Sequence, residues 1–163
     1  MITAMNDRMR NFAFLLKEVS RRYVLRFEVR AREIPLTLDQ AKTLVRLEKN
    51  EGVSQARLAE LAEVDAMAMV RMLDRMEADG LLERRADPAD RRARCLFITA
   101  KAKPILDQIW RLSEETRAEV FAGVDKAQRD VFMDVLEHIH DNISKLEGKP
   151  SVPVPVPNVE CGS

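Results

Sequence analysis

Cysteine is nearly missing from this chain: Cys95 and Cys161 are the only two in 163 residues. They make neither a disulfide framework nor a Cys-x-x-Cys pair for metal or redox work, and such sparse usage suits a reducing compartment. Glycine is scarce as well, at five residues, and none of them forms a phosphate-cradling loop. No apolar stretch approaches the roughly 20 residues needed to span a bilayer. Arg8 and Arg10 interrupt the N-terminus before a signal-peptide core can form, so the expectation is a soluble, cytoplasmic protein. Neither a Ser-His-Asp order nor a cluster of carboxylates in an apolar setting is present. His138 and His140 stand two apart, hence on different faces of a helix, and cannot grip one metal ion together. These absences leave no catalytic constellation, no metal site and no cofactor, and the chain reads as a non-enzyme.

An excess of one charge is also lacking, since 27 basic side chains balance 27 acidic ones. Any polyanion-binding surface must therefore come from the distribution of charge. That distribution is uneven. Residues 1–34 carry eight basic and four acidic side chains, whereas residues 111–163 carry six and ten. The run Arg84-Arg85-Ala86-Asp87-Pro88-Ala89-Asp90-Arg91-Arg92-Ala93-Arg94 places five arginines against two aspartates. Upstream, Gly80-Leu81-Leu82 follows a helical pattern; downstream, Cys95-Leu96-Phe97-Ile98-Thr99 reads as a short strand. The expected arrangement is a hairpin whose arginine-rich turn grips nucleic acid.

With 46% hydrophobic and 33% charged residues, the length suits one domain with a real core. Phe12, Leu16, Val19, Tyr23 and Phe27 recur at helical steps and predict a long first helix from about residue 6 to 31. Thr37 and Gln40 offer a capping box for a second helix carrying Ala41, Leu44, Val45 and Leu47, which Asn50-Glu51-Gly52 ends. Ser54 opens a short third helix with Leu58, Leu61 and Ala62 inward. A tight turn at residues 63–65 leads to a fourth helix over about 66–79, whose buried stripe is Met69, Met72, Leu73 and Met76. This is helix-turn-helix spacing, and Gly80 supplies the left-handed stop. Arg71 and Arg75 share an exposed flank of the fourth helix. Thr99 is the expected cap of a fifth helix, which Pro104 bends, with Ile105, Ile109, Leu112 and Val120 as its stripe. Asp125 and Gln128 open a sixth, with Phe132, Val135, Ile139, Ile143 and Leu146. The terminal helices carry more apolar surface than the middle module covers. The expected answer to that surplus is a symmetric homodimer built from both ends of the chain, and the alternative is an intramolecular bundle of the terminal helices.

Four segments, in their order and spacing, resemble the MarR family of transcription regulators. They are Ser54-Gln55-Ala56-Arg57-Leu58-Ala59-Glu60-Leu61, Val70-Arg71-Met72-Leu73-Asp74-Arg75-Met76-Glu77, Gly80-Leu81-Leu82-Glu83-Arg84 and Asp90-Arg91-Arg92-Ala93. Asp90-Arg91-Arg92-Ala93 followed by Ile98-Thr99, then Lys101-Ala102-Lys103-Pro104, together with Thr116-Arg117-Ala118-Glu119 before Gly123, is similar to the SlyA-type branch. The resemblance implies a mainly α fold with a small β-hairpin wing, a winged helix-turn-helix. It assigns residues 1–147 to that domain: 36–99 as the DNA-binding module, 6–34 and 100–147 as dimerisation helices, with 148–163 a proline-rich tail outside it. It further implies a homodimer on double-stranded, pseudo-palindromic DNA in the cytoplasm, associated with the nucleoid and acting as a repressor or anti-repressor. The fourth helix would enter the major groove and the hairpin tip the minor groove. A small aromatic or phenolic effector would bind between the dimerisation and DNA-binding parts.

On this resemblance Arg92 is the expected minor-groove arginine, Asp90 holds it in direction by a bidentate pair, and Arg91 and Arg94 touch the DNA backbone. Arg71 and Arg75 reach phosphates or guanine edges, and Ser54, Gln55 and Arg57 reach phosphates. Positions 66–69 depart from the family, because Ala66-Met67-Ala68-Met69 replaces a proline and hydrogen-bonding residues. Met67 and Ala68 can touch thymine methyls but cannot read donors or acceptors, which shifts weight to DNA shape. The effector crevice would draw on Arg22, Tyr23, Arg26, Leu44 or Trp110, and Cys95 is expected to be an inert small hydrophobe. The competing reading is a winged-helix module that binds protein through the same face and has lost specific DNA binding.

Overall fold

The computed structural model describes residues 9–87 and 94–148. Six helices and one hairpin follow in the order α1 (Phe12–Arg30), α2 (Leu38–Glu48), α3 (Gln55–Ala62), α4 (Ala66–Ala78), β1 (Leu82–Ala86), β2 (Arg94–Ile98), α5 (Lys103–Val120) and α6 (Lys126–Leu146). Three of the helix starts are built as the sequence predicts. Thr37 Oγ1 accepts from the Gln40 N–H at 3.2 Å while Gln40 Oε1 accepts from the Thr37 N–H at 2.9 Å. Asp125 and Gln128 make the same reciprocal pair ahead of α6, at 2.9 and 3.1 Å. Ser54 Oγ caps α3 by accepting from the Arg57 N–H.

The turn between α3 and α4 is tight because Glu63 takes a left-handed conformation, φ 54°. Asp65 then caps α4 by accepting from the Met67 and Ala68 N–H groups at 3.0 and 3.1 Å. Below this turn lies the main core. Leu44 and Leu47 of α2, Leu58 of α3, Met69, Leu73 and Met76 of α4, Leu82 of β1, Leu96 of β2 and Leu106 of α5 form one buried cluster. A smaller cluster of Ile34, Ala41 and Ile109, with Phe27 packed on it, joins the end of α1 to α2 and α5.

Several expectations are corrected. Gly80 stops α4 with φ 73°, as the sequence places it, but the strand that follows runs from Leu82 to Ala86, into the segment read as a turn. Arg84 and Arg85 are therefore strand residues, and Arg94 begins the return strand opposite Ala86. The rest of the expected arginine-rich turn, residues 88–93, lies outside the described residues. Thr99 does not cap a helix: its hydroxyl donates to the Gly80 carbonyl at 2.6 Å, and a short 3-10 turn, Ala100–Ala102, precedes α5. Pro104 sits in the first turn of α5, where a missing N–H interrupts no helical bond, so the expected bend has no cause. Val120, placed in the buried stripe of the fifth helix, is exposed, and Leu106 and Ile109 are buried on that helix.

The terminal helices also differ from a closed bundle. Neither α1 nor α6 has a buried residue, and Phe12, Leu16, Val19, Phe132, Val135, Ile143 and Leu146 are all exposed. The two do not cover each other; α1 lies instead on α5. Arg26 and Arg30 of α1 both pair with Glu119 of α5, and Arg30 also reaches Glu115 at 3.4 Å. These two guanidiniums hold the Glu119 carboxyl at a pKa of about 2, below its ordinary 4.5. A depressed acid stabilises the fold above its unfolded-state pKa, and that stabilisation is lost as pH falls from about 4.5 towards 2. Glu119→Gln should accordingly unfold at lower temperature than the parent near neutral pH. The gap between the two should narrow and close across that acidic window in a series of thermal melts.

Candidate nucleic-acid interface

The core cluster consumes one side of α4 and leaves the other in water. Met67, Val70, Arg71, Asp74 and Arg75 occupy that outer side, recurring at three- and four-residue steps. Arg71 and Arg75 make no ion pair among the described residues. Asp74 would set a negative charge in the middle of this surface, but Arg84 of β1 reaches across and donates to its Oδ1 at 2.7 Å. The same guanidinium pairs with Glu77, whose other oxygen accepts the Arg84 backbone N–H at 3.1 Å, and it donates to Gln55 Oε1 of α3 at 3.2 Å. One arginine thus ties the hairpin to both helices of the helix-turn-helix and neutralises acids that would repel a phosphate backbone.

The remaining residues around this face fall into two groups. Arg57 pairs with Glu60 at 2.9 Å, and Ser54 is engaged as the α3 cap, although it also pairs backbone to backbone with Cys95 of β2. That contact extends a short third strand-like segment, in which the Gly52 N–H donates to the Leu96 carbonyl at 2.8 Å and the Leu96 N–H to that of Val53 at 3.0 Å. Met67 is exposed and Ala68 half-buried, while their backbone N–H groups are spent on Asp65. Arg94 is exposed at the start of β2. Asp90, Arg91 and Arg92 lie outside the described residues. Arg85 stacks over the Phe97 ring at 4.4 Å and pairs with Glu83, which stiffens the outer face of the hairpin. Burial and the neighbouring Asp87 carboxylate raise the pKa of the Cys95 thiol, so little thiolate forms there.

A separate crevice of about 210 Å³ opens between α1, α2 and α5, lined by Tyr23, Phe27, Leu38, Val45 and Trp110 among others, with Lys42 as its cation. A second, of about 180 Å³, shares Phe27, Leu38 and Ala41 with it. Tyr23 and Trp110 thus stand where the sequence placed an effector. Trp110 is fixed by donating from Nε1 to Glu48 Oε2 at 2.8 Å, with Lys49 over its ring. The other three candidates do not line the crevice. Leu44 is fully buried in the core, Arg22 pairs with Glu18 at 2.6 Å, and Arg26 is committed to Glu119. Sequence reasoning missed Lys42 and, more consequentially, the bracing role of Arg84, which it counted as part of a turn. The available signal was the pair of acids on α4, Asp74 and Glu77, three apart and so on one flank.

A helix-turn-helix followed by a two-stranded hairpin, with an outward basic flank on its second helix, defines a winged-helix DNA-binding module. The MarR family model matches residues 36–93, which span α2, α3, α4 and β1. The transcriptional regulator PA3341 superposes with a TM-score of 0.73 at 27% identity, over 82% of this chain and 98% of that one. The transcriptional repressor CouR, solved bound to a 23-mer DNA duplex, gives 0.68 at 26% identity, over 78% and 90%. The transcriptional regulator SlyA gives 0.65 at 24%, over 85% and 95%, a likeness of fold. Residues 36–93 thus match the MarR family model, and the structures the chain is similar to are transcriptional regulators.

Because Arg84 neutralises Asp74 and Glu77 from a site where its own side chain is only 19% exposed, Arg84→Ala leaves two carboxylates unanswered. The expected loss is about 1–3 kcal/mol in urea unfolding, on the order of a charged hydrogen-bonding group removed. Arg84→Lys should recover only part of it, since an ammonium cannot fork between two acids and an amide.

Proposed function

We propose that this protein is a homodimeric, sequence-specific DNA-binding regulator, a repressor or anti-repressor whose operator binding is released by a small aromatic or phenolic ligand. The observation that carries the DNA-binding part is the outer flank of α4, where Arg71 and Arg75 make no ion pair among the described residues, beside a hairpin braced by Arg84. In this reading α4 enters the major groove and Arg71 and Arg75 take phosphates or guanine edges. Ser54, Gln55 and Arg57 flank the backbone. Arg92 enters the minor groove with Asp90 as its brace, and Arg91 and Arg94 take phosphates. CouR, bound to duplex DNA, is the precedent among the matched structures.

The dimer is supported by the uncovered apolar faces of α1 and α6, since exposed stripes of this length on long terminal helices are normally met by a second copy. Residues 36–99 then serve as the DNA-binding module, with 6–34 and 100–147 as dimerisation helices. Ligand control is supported by the crevice of Tyr23, Phe27 and Trp110 with Lys42 beside them, a lining suited to a flat ring bearing an anionic or phenolic oxygen. Membership of the SlyA-type branch rests on the motifs at 90–93, 98–99, 101–104 and 116–119.

Binding of the full chain to duplexes enriched from a random pool, followed by fluorescence anisotropy across a salt series, tests the reading. Affinity should fall steeply with salt as arginine–phosphate contacts release counterions. Arg92→Ala should weaken binding by about 1–3 kcal/mol while sedimentation still reports the parent's assembly state. No enrichment over random DNA at any salt would refute specific DNA binding.

A further inference from the structure

Met67 and Val70 are the two large apolar side chains exposed to water among the described residues of 36–99, at 69% and 36%. Both stand on the outer flank of α4, in its first two turns, with Arg71 beside them. The core explains neither, because Met69, Leu73 and Met76 already fill the inner side. Hydrogen-bonding groups are, by contrast, depleted at this end of the helix. Ala66 and Ala68 carry none, the Met67 and Ala68 N–H groups are taken by Asp65, and Asp74 one turn on is taken by Arg84. An apolar tip flanked by exposed arginines is complementary to one feature of a DNA major groove. The C5-methyl of thymine is the groove's only exposed apolar group, and it lies within a rim of phosphates.

We propose that Met67, with Val70 beside it, is the specificity-determining residue of this protein and reads thymine methyl groups. Base recognition by α4 is then a methyl readout, with Arg71 and Arg75 anchoring the helix. This rests on the DNA-binding reading above and deepens it. Uracil separates the two claims, because replacing thymine by uracil removes the methyl and leaves the hydrogen-bonding edges of the pair unaltered in both grooves.

The test takes duplexes enriched by the full chain and replaces each thymine in turn by uracil. Burying one methyl group is worth about a fourfold change in affinity, so about that loss is expected at a small set of thymines repeated in both half-sites, and none elsewhere. Met67→Ser, at an exposed position that leaves the core untouched, should bind thymine and uracil duplexes alike. Met67→Leu should keep the discrimination. Equal affinity of the unaltered protein for thymine and uracil duplexes at every position would overturn the methyl readout while leaving DNA binding intact. Discrimination that survives Met67→Ser would overturn the assignment to Met67. Failure to enrich any duplex would overturn both this proposal and the regulator reading.

Discussion

Leu44, Leu47, Leu58, Met69, Leu73, Met76, Leu82, Leu96 and Leu106 come from four helices and both strands, and each is withdrawn almost entirely from water. Because these side chains meet at one place, α4 cannot rotate, the hairpin cannot swing away, and α5 cannot detach without reopening the same apolar surface. Burial of this kind is non-directional taken singly, yet close packing makes the joint arrangement unique. The orientation of the outer α4 flank follows from it. Once Met69, Leu73 and Met76 point inward, helical geometry turns Met67, Val70, Arg71 and Arg75 outward.

Polar contacts then refine what the core has placed. Arg84 is the clearest case, since its guanidinium spans β1, α3 and α4 and answers acids that the surrounding sequence makes unavoidable. It changes the electrostatics of a chain with no net charge: the positive potential offered by Arg71 and Arg75 is not cancelled by Asp74 and Glu77. Charge counting over residues 54–94, with eight basic and nine acidic side chains, conceals this, because it ignores which groups already hold one another.

At the other end of the molecule the arrangement is looser and more polar. α1 lies on α5 through Arg26, Arg30, Glu115 and Glu119, with Phe27 and Ile109 below, and this leaves a crevice between α1, α2 and α5. The floor of that crevice shares Ala41, Val45 and Ile109 with the surroundings of the core. A molecule seated there would therefore press on the same packing that orients α4, a physical connection between the crevice and the outer flank of α4.

Local chemistry settled a large share of the fold in advance. The capping pairs at Thr37 and Asp125, the Ser54 cap, the stop at Gly80 and the apolar period of α4 are interactions between residues three or four apart, so the sequence alone determines them. The outward flank of α4 was legible for the same reason, as were Tyr23 and Trp110 as lining residues. What only the tertiary structure decided involves partners distant along the chain. Arg84 became a strand-borne brace because β2 pairs beside it and Asp74, Glu77 and Gln55 converge on it. Thr99 gave its hydroxyl to Gly80 instead of a helix, Leu44 went to the core instead of the crevice, and Arg26 went to Glu119. A long flexible cation has many possible partners within reach, and its choice depends on where the core sets the neighbouring backbone, which no local pattern encodes.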